Sequence, residues 1–170
     1  SSKAGLLILS SCATGYLFYN RNNILSPLEK SKAFSGLPDF SVKEAGGKMA
    51  VVKGGDRLKT INLAFKAIGG IETFIKKGDR VLLKVNAAFA SPPVLSATTN
   101  PQLLEEVARL CYAAGASSVA VTDNPINDPS SCFALTGIES AAKRAGAKVI
   151  LPEESLFAPL TIEGGSLIKD

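Results

Sequence analysis

The residues best suited to chemistry fall in three short clusters. "VLLKVN" ends on Lys84 and Asn86, "SATTNP" sets Thr98, Thr99 and Asn100 ahead of Pro101, and "VTDNP" carries Asp123 and Asn124. A cation, several amides and hydroxyls and one carboxylate can together bind and orient an anion. They do not make a recognisable catalytic constellation, because no nucleophile stands beside a matched base. Histidine is absent, which removes the commonest acid/base group at neutral pH and the commonest metal ligand.

Each cluster also has a plain structural reading. Lys84 inside an apolar run suits a lysine whose stem lies along the protein while its head reaches water. Asn100-Pro101 has the form of a helix start, with Asn as N-cap and Pro at the first helical position. The same helix tip offers free N–H groups to an anion. Asp123 before Asn124-Pro125 suits an Asx turn as well as a ligand or acid/base carboxylate. The three cysteines, Cys12, Cys111 and Cys132, lie far apart without a CxxC spacing, so no metal site or cofactor is evident. Cys111 falls on an apolar helix face and reads as core, while Cys132 opens a helix and reads as structural.

These clusters need elements to hold them. "MAVVKG" (49–54) is a short apolar run, and apolar residues from Leu58 to Ile75 recur with a helical period over 57–77, weakened at Gly69-Gly70. "DRVLLKVN" reads as a strand buried on both faces of a parallel sheet. A helix follows from Asn100 to Ala114, then the strand "SSVAVTD", the helix "FALTGIESAAKRAG" and the strand "AKVILPE", with strand-like Leu160-Thr161-Ile162 beyond. "YAAGASSVAV" and "KRAGAKVIL" are one joint used twice: helix, Ala-Gly-Ala, strand. Alternating strands and helices predict an α/β fold with a parallel sheet of about four to five strands, flanked by helices in a Rossmann-like three-layer arrangement. In such a sheet Asn86 and Asp123-Asn124 share the carboxyl edge, where ligands bind. The 14 residues from 87 to 100 carry no charge, leave from that edge and read as an ordered loop rather than a disordered one.

Upstream, Ala4 to Tyr19 is a run of 16 uncharged residues between Lys3 and Arg21. As a helix it would span about 24 Å, short of the ~30 Å hydrocarbon core, which suits a signal-anchor as well as an export signal. "Leu9-Ser10-Ser11-Cys12" matches a lipobox, which makes Cys12 a candidate for lipidation. Residues 1–20 are thus expected to be an anchor helix, 21–47 a linker broken by Pro27, Gly36, Pro38 and Gly46-Gly47, and 48–170 the α/β domain. Of the chain's charges, residues 1–80 carry 13 basic and 6 acidic, and residues 81–170 carry 6 and 9. The basic excess is scattered, and aromatics make up 6% of the chain, so a nucleic-acid footprint is not expected.

"GDRVLLKVN" followed by "ATTNPQLLEEVARLCYAAGASSVAVTDN" resembles the prokaryotic family catalogued as domain of unknown function 362. Lys84 and Asn86 match the family's "K-P-N" at a strand end, with Val85 in place of the proline. Thr99, Asn100 and Pro101 match its "T-[TN]-P", and Gly115 and Asp123 match the "E-A-G-A" joint and the strand ending in Asp or Asn. The likeness covers about residues 49 to 155. It implies an exported protein, often with a twin-arginine signal, whose members are usually about twice as long, so that this chain is expected to be either the first half of the family's domain or a variant without the second. Some members carry iron–sulfur motifs, and their cysteine runs are missing here. The resemblance implies no general activity.

Two main functions are expected from these readings. One is a membrane-anchored, exported accessory or structural subunit, held through residues 4–19 with its α/β domain outside the cytoplasm (periplasmic in a bacterium) and docked on other subunits of a membrane complex. The other is an enzyme or binding domain for an anionic small molecule at the carboxyl edge of the sheet. A redox role, by family association alone, ranks last.

Overall fold

The computed structural model describes residues 39–158. The expected anchor helix 1–20, Cys12, most of the linker 21–47 and Leu160-Thr161-Ile162 lie outside the described residues. Within the compact unit Asp39–Leu156, β1 (Arg80–Lys84), β2 (Ser118–Thr122) and β3 (Lys148–Ile150) form a parallel sheet in the order β1-β2-β3. The helices are α1 (Arg57–Ala67), α2 (Pro101–Ala113), α3 (Pro129–Leu135) and α4 (Ile138–Arg144). The class is α/β, as the alternation of strands and helices predicts. Among the described residues the sheet has three strands; of the four to five expected, residues 48–54 join no ladder there, and Leu160-Thr161-Ile162 lie outside the described residues.

The Ala-Gly-Ala joints have a common physical basis. At the end of α2, the Gly115 N–H donates to the Tyr112 carbonyl and the Ala116 N–H to that of Cys111. At the end of α4, Gly146 donates to Lys143 and Ala147 to Ala142. This is the Schellman pattern, with a glycine at positive φ: 102° at Gly115 and 75° at Gly146. The same device ends α1. Gly69 and Gly70 donate to Lys66 and Phe65, so the helix expected to reach residue 77 stops at Ala67. The helix expected across "FALTGIESAAKRAG" is likewise two helices, because Gly137 adopts φ 74° between α3 and α4. α3 begins at Pro129, so Cys132 lies inside it rather than at its start.

Strand register explains the core. Val81 lies beside Val119, and Leu83 beside Val121, which in turn lies beside Val149. On a pleated sheet these side chains share one face. They pack into a cluster with Leu104, Ala108 and Cys111 of α2 and Ile138, Ala141 and Ala142 of α4. The opposite face carries Arg80, Leu82 and Lys84, with Ser118, Ala120 and Thr122 beside them and Lys148 and Ile150 beyond. Leu82 is 59% exposed there. The uniform apolar run suggests burial on both faces. The strand alternates instead, because the described helices that pack on the sheet take only the Val81 side.

Candidate functional site

The carboxyl edge of the sheet gathers most of the sequence-derived candidates. β1 delivers Lys84, and the chain continues through Val85, whose N–H still donates to the Thr122 carbonyl at 3.1 Å. β2 ends one residue before Asp123. The Lys84 ammonium lies 2.8 Å from Asp123 Oδ1, with the lysine side chain 71% exposed and the aspartate side chain 5% exposed. Asp123 Oδ2 accepts the Ala87 N–H at 2.6 Å. Burial pushes the Asp123 carboxyl up. The Lys84 hydrogen bond, the N–H groups of Ala87 and Asn124 and the lysine charge outweigh that effect and hold it below the ordinary carboxylate value.

Asn86 and Thr99 close the base of the intervening loop. Thr99 Oγ1 accepts the Asn86 N–H at 2.8 Å, and the Thr99 N–H donates to the Asn86 carbonyl at 2.8 Å. Asn86 Oδ1 accepts the Ala88 N–H at 3.2 Å. Asn100 is the N-cap of α2, its Oδ1 accepting from Gln102 at 3.0 Å. Thr98 is half-buried beside them, and Asn124 is exposed after β2.

The loop from 87 to 100 is ordered, as expected. Ala87 is fully buried. The Ile126 N–H donates to the Ala88 carbonyl, tying this loop to the one after β2. A Cβ placed on Gly137 would stand 3.5 Å from Pro101 and 3.9 Å from Pro93, so the loop also rests on the α3–α4 joint.

Lys84, Asp123, Asn86 and Thr99 are therefore brought together, but largely to satisfy one another. The Ala87 N–H was not legible in the amino-acid sequence, because a backbone donor carries no residue signature. Two grooves of the unit lie elsewhere. One of about 470 Å³ runs beside β3 and is lined by Phe133, Lys143, Val149 and Leu151 among others. One of about 430 Å³ lies between residues 50–55 and α1. Neither includes Lys84 or Asp123. Both described cysteines are buried, and burial raises their thiols above the ordinary value, outweighing the Asn127 N–H at Cys132. That keeps them as protonated core groups rather than nucleophiles.

Comparison with known proteins adds three findings. The family model described as "Domain of unknown function (DUF362)" matches residues 81–170. The match starts at β1 and runs through the later part of this chain, so it is placed further along than the 49–155 span of the sequence likeness. A thylakoid-associated protein of Synechocystis sp. (strain ATCC 27184 / PCC 6803 / Kazusa) is 36% identical over 61 residues, which are 36% of this chain. The match spans 19% of that relative's length. No solved structure matches.

Proposed function

This chain belongs to the DUF362 family, and from that premise, which carries no activity with it, we propose that it is a membrane-associated accessory subunit. Its α/β unit docks on a protein partner through the open face of the sheet, and residues 4–19 hold it to the membrane with that unit outside the cytoplasm. The observation that carries this reading is Leu82, 59% exposed in the middle of the edge strand β1 on the open face of the sheet. Parallel sheets are ordinarily covered on both sides. On the same face stand Arg80 beside Leu82 and Lys148 two strands away in register, while the charge of the neighbouring Lys84 is met by Asp123. No carboxylate belongs to that face among the described residues. An apolar side chain with the cations Arg80 and Lys148 on the same face is complementary to an amphipathic element with an acidic margin.

Two further facts support the membrane. Residues 4–19 are uncharged, and the Synechocystis relative is thylakoid-associated. Among the described residues no helix is long and apolar enough to cross a membrane, and residues 4–19 lie outside them. The anion-binding reading has less support, because the Lys84 charge is already met by Asp123 and the Asn100 cap by Gln102.

The test is a photo-cross-linking amino acid at Leu82 of the full chain, activated in membranes of the source cells. A discrete protein adduct from Leu82 is expected, with none from a control at Leu63, which is also exposed but lies on α1. Absence of an adduct at Leu82, or equal adducts at both sites, overturns the reading.

A further inference from the structure

A second surface is unlike the open sheet face. Val94, Leu95 and Ile126 are 84%, 65% and 75% exposed, and Phe89 is also exposed. All four lie on the two loops that leave the carboxyl edge of the sheet. The loops are joined by the Ile126 N–H to Ala88 carbonyl bond at 3.0 Å and by the Ala90 N–H reaching Asn127 Oδ1 at 3.5 Å. Val94 and Leu95 are displayed by a single 3-10 turn, Pro93–Leu95, entered through Pro92 and closed by Ser96 at φ 54°. That non-glycine residue in the left-handed region marks a tip held in a defined shape. Thr99 and Asn86 pin the base of the loop. Residues 85–104 contain no charged side chain.

We infer that this crest inserts into the headgroup and upper acyl region of a lipid bilayer. The choice of a lipid surface over a protein rests on shape and charge. Apolar residues exposed by three-quarters or more stand clear of their own fold, so the tip is convex. A protein partner would need a matching concavity, with a polar and charged rim to set register. A bilayer accepts a convex apolar tip without one. Ser96, which closes the turn, is an exposed hydroxyl residue that suits the headgroup level, and residues 85–104 bring no desolvated charge. Nor does the crest require anionic lipid, since its nearest sequence charges are Lys84, already paired with Asp123, and the acidic Asp128.

The inference shares with the proposed function only the membrane. It concerns a different surface, so its failure leaves the Leu82 cross-link to stand or fall by itself. The chain contains no tryptophan, which makes a single introduced indole a clean reporter. Full-length protein carrying Val94→Trp is mixed with protein-free phosphatidylcholine vesicles, with and without brominated acyl chains. Emission is expected to move to the blue and to be quenched by the bromolipid, whereas Leu63→Trp on α1 changes in neither respect. If the chain sediments with vesicles but Val94→Trp is not quenched, the crest is not the inserting element and the inference is overturned. Equal quenching at both positions, or no association with vesicles, overturns it too. A blue shift seen in native membranes but not in vesicles assigns the crest to a protein partner and also overturns it.

Discussion

Asp123 sits where three demands meet: a strand end, a buried N–H and an exposed lysine. Its side chain reaches Lys84 with one oxygen and Ala87 with the other. Asp123→Ala leaves the Ala87 N–H buried without an acceptor and is expected to cost about 1–3 kcal/mol of stability, read from a denaturant midpoint at neutral pH. The sign of the pH dependence follows from the lowered carboxyl. A carboxylate held below its ordinary pKa contributes fully above that ordinary value, about 4, and its contribution is lost as pH falls through the folded value. The wild-type chain should thus lose on acidification a part of its stability that the alanine variant lacks throughout. Lys84→Met removes the largest of the lowering influences, so the Asp123 carboxyl should titrate at higher pH, as its carbon resonance would report. The lysine is largely exposed, so that change should cost no more than about 1 kcal/mol. The residue types and strand-end positions of Lys84 and Asp123 were legible in the sequence. Their mutual bond was not, because pairing across two strands depends on register.

The joints between elements were the most legible part of the chain, and they respond differently to the same substitution. Gly115 and Gly146 both end helices at positive φ, yet their surroundings differ. A Cβ at Gly115 would come within 3.1 Å of Lys77 Cα, a backbone atom that cannot swing away. At Gly146 the nearest atom is the Tyr112 ring at 4.0 Å, which is ordinary contact. Gly146→Ala should therefore cost about 1–2 kcal/mol, the ordinary charge for a side chain in the left-handed region. Gly115→Ala should cost measurably more, and a thermal or denaturant melt of the pair would show the order. An order of equal or reversed size would mean that the turn at Lys77-Gly78 yields more readily than its packing suggests. Where the helices end inside longer apolar patterns, at Gly69-Gly70 and Gly137, the sequence was harder to read. An apolar period continues through such a glycine, while the backbone turns on its φ.

At the scale of the whole unit, the α/β class and parallel order follow from the alternation of elements, but the second face of the sheet does not. Val-Leu-Leu-Lys-Val reads the same whether Leu82 is covered by a helix or left open, because composition cannot name the element that would cover it. That ambiguity makes Leu82 a useful probe of the molecule's role. A side chain that is 59% exposed contributes little to the folded chain, and surface changes ordinarily move stability by no more than about 0.5 kcal/mol. Leu82→Glu should accordingly leave the unfolding midpoint of the free chain nearly in place, with at most a small further loss from strand propensity. At a docked interface the same change removes the exposed apolar side chain and sets a carboxylate against the acidic margin that Arg80 and Lys148 would meet. Association with the partner should then be lost from gently solubilised membranes while the protein itself remains folded. A variant that unfolds would instead mean that Leu82 is covered within its own chain, and a variant that still co-purifies would place the docking surface elsewhere.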